Sequence, residues 1–338
     1  MKRAILTSMM LAAGLFAQQP RVANAKLETK AAGSLEGEIQ AAASRGTAMW
    51  VGYAFEQIAD SNSCCYSGDG GGGCTLEGDK TWKGQPEGPI QLEGSKFGMV
   101  LVRLEGGAIK KVRHFSLTCD LEAGGLPFLW LTGVKASESL QFLKKQAVTE
   151  GRENAAVAAI AMHSGPGADQ VLEEFLKPDQ PVELRRKTVF WLGNSRGHQG
   201  VEVLKRVMRD DPSEKVREHA VFALSQSKDP EGMQVVIRTA KEDKSADVRS
   251  KALFWLAQRA GQKAVGPISS AIAEDPDTKV KKQAVFALTQ MPKEEGIPAL
   301  IKVARENKNP EVRKQAFFWL GQSKDPRAAS FLEEVLGK

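Results

Sequence analysis

The chain has 338 residues, 42% of them hydrophobic, and a formal charge of +6 from 47 Lys and Arg against 41 Asp and Glu. This composition, with a mean hydropathy of −0.31, fits a soluble protein with ample core in two domains. Acids and bases alternate closely, as in Arg209-Asp210-Asp211 and Glu242-Asp243-Lys244. Such a solvated mixed-charge surface argues against nucleic acid as the partner.

Residues 1–25 read as a signal peptide. Lys2 and Arg3 form a positive n-region, Ala4 to Ala17 a mostly apolar h-region, and Ala23-Asn24-Ala25 a small-x-small cleavage site. The apolar run is too short and interrupted to span a bilayer, and no later segment is apolar enough to cross one. No Cys lies near the cut to carry a lipid. The expectation is export to a periplasmic or extracellular space, with no stable membrane insertion after processing. Loss of Lys2, Arg3 and Arg21 would lower the formal charge from +6 to +3.

Residues 26–135 predict a small β-rich domain. Ala48–Phe55, Gly98–Leu104, Val112–Leu117 and Pro127–Leu131 read as strands, and Glu105-Gly106-Gly107 supplies a hairpin turn between the second and third. All four cysteines, Cys64, Cys65, Cys74 and Cys119, fall in this segment. In an oxidising compartment they predict disulfides. Adjacent cysteines rarely bond to each other, so Cys64 and Cys65 should take Cys74 and Cys119, in either of two patterns. Zinc is the alternative, but Cys-Cys-x8-Cys lacks the paired short spacings of zinc ribbons and fingers. Gly68 to Gly73 lacks the Gly-Lys-Ser/Thr of a phosphate loop, and Asp60 and Asp69 are too isolated to argue for calcium.

A 32-residue repeat governs residues 136–338. Val-Phe-Trp-Leu-Gly-Asn (189–194) recurs as Val-Phe-Ala-Leu-Ser-Gln (221–226), Leu-Phe-Trp-Leu-Ala-Gln (253–258), Val-Phe-Ala-Leu-Thr-Gln (285–290) and Phe-Phe-Trp-Leu-Gly-Gln (317–322). Four steps without an indel predict one two-helix unit stacked repeatedly, each copy covering its neighbour's apolar face. The first helix opens with Val-Arg, as at Val216-Arg217. The second carries Val201, Leu204 and Val207 at helical spacing. Between helices, Asp229-Pro230 and Asp325-Pro326 supply a capping Asp and a first-turn Pro. Weaker copies through Ala156, Ile160, Leu140 and Leu172 extend the array back to about Ala136.

The pattern Asp211…Val216-Arg217…Ala220…Ala223-Leu224 resembles the short HEAT-like repeats named after phycobilin lyases. The resemblance covers about 200 residues. It implies an α-solenoid with the Val-Arg helix on the concave side. It also implies a structural ladder of Arg185, Arg217, Arg249, Lys281 and Arg313 with Asp211, Asp243 and Asp275, joined by Asn307, knitting adjacent units. Relatives on this architecture include di-iron hydroxylases built on His-Glu pairs, and none of His114, His163, His198 or His219 is followed by Glu. The lyase relatives act in the cytoplasm, against the signal peptide. No catalytic, metal or cofactor site is read from the sequence.

Helical geometry places Trp191, Trp255 and Trp319, alternating with Ala223 and Ala287, among the packed residues. It turns Phe190, Phe222, Phe254, Phe286 and Phe318 away from them, beside Asn194, Gln226, Gln258, Gln290 and Gln322. The aromatic and amide columns could hold an extended peptide. Equally, the rings could cover one another while the amides satisfy neighbouring backbone. The expected function is that of an exported, non-enzymatic scaffold for a protein or peptide. The alternative is an enzyme or enzyme accessory with its chemistry in the N-terminal domain.

Overall fold

The computed structural model describes residues 19–58, 63–65, 73–78, 81–82, 95–149 and 155–337. Most of the expected signal peptide and of the glycine-rich loop lies outside them. The chain divides into two compact units, Met1–Glu174 and Phe175–Lys338.

In the first unit a five-stranded sheet has the order β2-β9-β3-β6-β7, with β2 Lys26–Ala31, β3 Met49–Glu56, β6 Phe97–Glu105, β7 Ala108–Ser116 and β9 Pro127–Thr132. The expected hairpin joins β6 to β7, and Gly106 and Gly107 both take positive φ in its turn. Glycine alone enters that region without a Cβ clash. A four-stranded sheet, order β1-β8-β4-β5, is made of β1 Arg21–Ala23, β4 Gly73–Thr75, β5 Thr81–Trp82 and β8 Asp120–Glu122. Trp50, Met99, Leu101, Phe128 and Trp130 of the larger sheet share one core with Cys74 and Leu121 of the smaller. Cys64 pairs with Cys119 and Cys65 with Cys74. At the rim of this core Trp50 Nε1 and Arg103 Nε both donate to Glu77 Oε1, each at 2.7 Å. Burial works against the Glu77 carboxylate, but the Arg103 and Trp50 bonds outweigh it and hold its pKa below the usual carboxylate range.

Arg21–Ala23, inside the expected leader, runs parallel to β8 as the edge strand of the smaller sheet. Within the stretch expected to hold the repeat array, the helices α2 Ala136–Ala147 and α3 Ala156–Met162 fall, like α1 Leu35–Ala43, in the first unit. Their spacing fits the repeat rows, but their polar groups meet the sheet. Ala155 N donates to Val112 O, Ile58 N to Met162 O and Ser164 N to Glu56 O. Ser139 Oγ on α2 lies 3.0 Å from Tyr53 Oη on β3 and 2.8 Å from His163 Nε2, just past α3. The His163 ring stacks on Phe55 at 3.8 Å, and its Nδ1 donates to Ala159 O. Helix α4 Pro166–Phe175 ends this unit.

The second unit comprises ten helices in five consecutive pairs: α5 Val182–Ser195 with α6 Gly197–Asp210, α7 Glu214–Gln226 with α8 Pro230–Glu242, α9 Ala246–Arg259 with α10 Val265–Glu274, α11 Thr278–Thr289 with α12 Lys293–Glu306, and α13 Pro310–Gly321 with α14 Pro326–Leu336. Val216, Ala220, Val221 and Leu224, and their equivalents in α9 and α11, are fully buried. Asp229, Asn309 and Asp325 cap α8, α13 and α14, each followed by Pro at the first helical position. The turn within a pair is tight. A Cβ on Gly200 would meet Leu192 O at 2.1 Å, and one on Gly296 would meet Leu288 O at 2.3 Å, so both positions exclude a side chain.

Buried ion pairs join successive pairs of helices. Arg185 donates to Asp211, Arg217 to both oxygens of Asp243 and Arg249 to both oxygens of Asp275, at 2.8–3.1 Å and always across 26 residues. Each Asp also accepts the backbone N–H two residues on. The next rung differs. Lys281 reaches Ala273 O instead of Asn307, and Arg313 bonds the carbonyls of Asn307 and Lys308.

Two outcomes follow. Asp243→Ala strands the Arg217 guanidinium, which is 1% exposed, and should cost about 3–5 kcal/mol in denaturant unfolding followed by helical circular dichroism. Asp247→Ala, which breaks an exposed pair with Lys279, should cost under about 1 kcal/mol. His114, buried on β7, has its pKa pushed down to about 3 by desolvation and then by His163. The unfolded chain takes up this proton near pH 6.5, so folding should weaken as pH falls from there towards 3, by roughly tenfold in equilibrium constant per unit. His114→Leu should flatten that part of the stability profile, measured by urea unfolding at pH 7, 5 and 4.

Candidate functional site

Rings on the first helix of each pair make two runs. Phe190 stacks on Phe222 at 6.0 Å, Phe222 meets Trp255 at 4.8 Å, and Trp255 meets Phe254 edge-on at 5.1 Å. Further along, Phe286 meets Trp319 at 5.1 Å and Trp319 meets Phe318 edge-on at 5.0 Å. Phe190, Phe222, Phe254 and Phe286 are half-buried, and Phe318 is 54% exposed. The rings thus cover one another in part and still present an apolar surface to water.

The tryptophans are not core, contrary to the sequence expectation. Trp191, Trp255 and Trp319 are half-buried. The neighbouring Ala223 and Ala287 are fully covered, and Trp255 and Trp319 each lean on the phenyl ring of the preceding repeat. Their indole N–H groups have no acceptor among the described residues.

The amide column does not line the grooves that the rings floor. Gln258 donates to Gln290 at 3.0 Å, and Arg259 donates to Gln226 at 2.6 Å. The Gln226 and Gln290 amides donate to the hydroxyls of Ser225 and Thr289. Asn194 and Gln322 are exposed. The groove walls come instead from the turns before each Phe, residues that sequence reasoning passed over. Lys215, Glu218, His219 and Lys251, with Arg186, surround Phe222 and Trp255 in a cavity of about 590 Å³. Lys279, Lys282, Gln283 and Gln315, with Thr278 and Glu311, surround Phe286 and Trp319 in one of about 690 Å³. Burial, and then the Arg186 charge, hold the His219 pKa below its ordinary value, so the ring is neutral at pH 7.

Two other clusters bring reactive side chains together. Ser139 and His163 make a serine–histidine pair, but both are 1% exposed, so no substrate meets Ser139 Oγ without local opening. The pair acts as a buried clamp between α2, α3 and β3. His198, Glu202 and Glu231 converge closely enough for a metal ion. Lys205 already bridges Glu202 and Glu231 there, and His198 bonds Asp229. No described helix is long and apolar enough to cross a membrane.

Exposure orders the ring variants. Phe318→Ser should cost less than about 1 kcal/mol, since most of the ring is already in water. Trp255→Ala removes two ring contacts and should cost about 2–3 kcal/mol, short of the 3–5 of a fully buried aromatic. Thermal or denaturant midpoints check the order. Equal losses would mean that the rings are core.

A search of curated proteins found no significant match. Among solved structures, the chain is similar to human deoxyhypusine hydroxylase in complex with glycerol at 18% identity, over 58% of this chain and 89% of that one, with a TM-score of 0.30. It is similar to the Escherichia coli protein YibA at 24% identity, over 56% and 70%, with a TM-score of 0.35. Kap95p, solved with RanGDP, is similar at 17% identity over 56% of this chain and 30% of that one, also with a TM-score of 0.35. The family model for HEAT repeats matches residues 168–257 and 265–338, the stretch that contains every 32-residue copy. The chain is a HEAT-like repeat protein, its helical repeats preceded by a small β-sheet region.

Proposed function

We propose that this protein is an exported, non-enzymatic scaffold that binds a protein or peptide across the aromatic face of its repeats. The observation that carries the reading is the run of half-exposed rings from Phe190 to Trp255 and from Phe286 to Phe318. Apolar surface left in water at equivalent positions of successive repeats is costly, and a binding partner accounts for it. Aromatic anchors of this kind dominate interfaces. Export is supported by the leader-like residues 1–25 and by four cysteines that are all paired. Among the described residues, a cut after Ala25 would remove the edge strand β1 and leave β8, β4 and β5 of its sheet.

The test is capture from a cell-envelope fraction by immobilised full-length protein, against a Phe222→Ser, Phe286→Ser variant. One or more specific partners should be retained by the natural protein and lost by the variant, while helical circular dichroism stays unchanged. Undiminished capture by a folded variant would move the interface off the rings.

A further inference from the structure

The tryptophan row alternates, Trp191, Ala223, Trp255, Ala287, Trp319, so the true period of the aromatic face is two repeats, or 64 residues. The two grooves described above share it in their floors and in part of their rims. Phe222 and Trp255 floor the first, and Phe286 and Trp319 floor the second, with ring separations of 4.8 and 5.1 Å and interplanar angles of 42° and 46°. Lys215 recurs as Lys279, and neutral His219 as Gln283. The indole N–H of both tryptophans has no acceptor among the described residues. Cations dominate both rims. Lys215 and Lys251 beside the first groove, and Lys282 beside the second, make no ion pair among the described residues, whereas many lysines and arginines elsewhere on the repeats do.

We infer that both grooves take one ligand: an extended acidic peptide whose two apolar side chains, about six residues apart, each enter one groove while neighbouring carboxylates meet the rim lysines. Neighbouring helices pack about 8–10 Å apart, so two repeats span about 16–20 Å, and an extended chain covers that in about five or six residues at about 3.3 Å each. Floor rings would bury the apolar side chains, and Lys215, Lys251 and Lys282 would gain the counter-charges they lack. Seating the first anchor makes the second binding event intramolecular, so affinity should depend steeply on anchor spacing. The inference rests on the binding reading above and goes further in fixing the ligand's register and charge.

The experiment is selection of a random twelve-residue displayed peptide library on the full chain, in parallel with three variants whose folding is checked by circular dichroism. The natural protein should enrich peptides with two apolar residues five or six apart among Asp and Glu. The best of these, made synthetically, should bind at least about tenfold more weakly to Phe286→Ser. Lys215→Glu with Lys251→Glu, both exposed positions, should lose the acidic preference at one end of the selected sequence only. Enrichment of single-anchor, spacing-independent or basic peptides would overturn this inference while leaving the binding reading standing. No enrichment beyond that of the Phe222→Ser, Phe286→Ser variant would overturn both.

Discussion

Three successive repeats each depend on a buried arginine that belongs to the repeat before. Arg217 illustrates the geometry: two nitrogens on Asp243, 26 residues ahead, and the third on the carbonyl of Asp211, six residues behind. One side chain therefore touches two successive connections between pairs and fixes their relative register. The value of such a pair is not mainly net stability, because desolvating both charges offsets most of their attraction. Its value is directional. A slipped or rotated repeat would leave a guanidinium and a carboxylate buried without partners, and that costs several kcal/mol. Apolar packing of Val216, Ala220 and Leu224 supplies adhesion, and the ladder selects one arrangement of the adhered surfaces.

The change at Lys281 and Asn307 obeys the same rule. Lysine cannot make the forked, bidentate contact of arginine, and here Nζ turns to the exposed carbonyl of Ala273. An aspartate at 307 would then be a half-buried carboxylate without its cation. Asparagine keeps the local turn, since its Oδ1 still accepts the N–H of Asn309, and brings no charge. The acidic half of the rung between α11 and α13 is thus replaced by a neutral amide.

How much was legible in the sequence follows from which interactions are local. The 32-residue period, the capping Asp-Pro pairs and the Glu105-Gly106-Gly107 hairpin are signals carried within a few residues, and the fold contains them. Strand β2 was not legible, because Lys26–Ala31 is exposed throughout and pairs in parallel with a strand a hundred residues away. Helices α2 and α3 carry alanine and leucine at the repeat's spacing. What ties them to the sheet is a tertiary network through Ser139, Tyr53 and His163 that no periodicity encodes. The phenylalanine row was read as facing away from the packed side. The tryptophan row was misread because a helical wheel gives an angle within one helix, whereas the fate of Trp255 depends on Phe222 in the helix before it. The groove walls were missed for a plainer reason. Lys215, His219 and Lys251 look like an ordinary solvated face until their neighbours across the repeat are known.

The aromatic face and the ladder together explain why a strict 32-residue repeat carries a 64-residue pattern. The ladder requires an Arg or Lys at one position of every repeat, so it has the short period. An indole in every repeat would crowd the next helix at the same height, and the row instead places alanine at alternate steps, each 1% exposed or less. Trp255 and Trp319 can then fold over the phenylalanine of the preceding repeat, closing one groove side and leaving the following interface open. Phe254 shows the consequence. It has its own Trp255 as an edge-on neighbour, but among the described residues no ring contact joins it to Phe286. The surface is therefore divided by packing into two matching aromatic depressions, and that division exists before any ligand arrives.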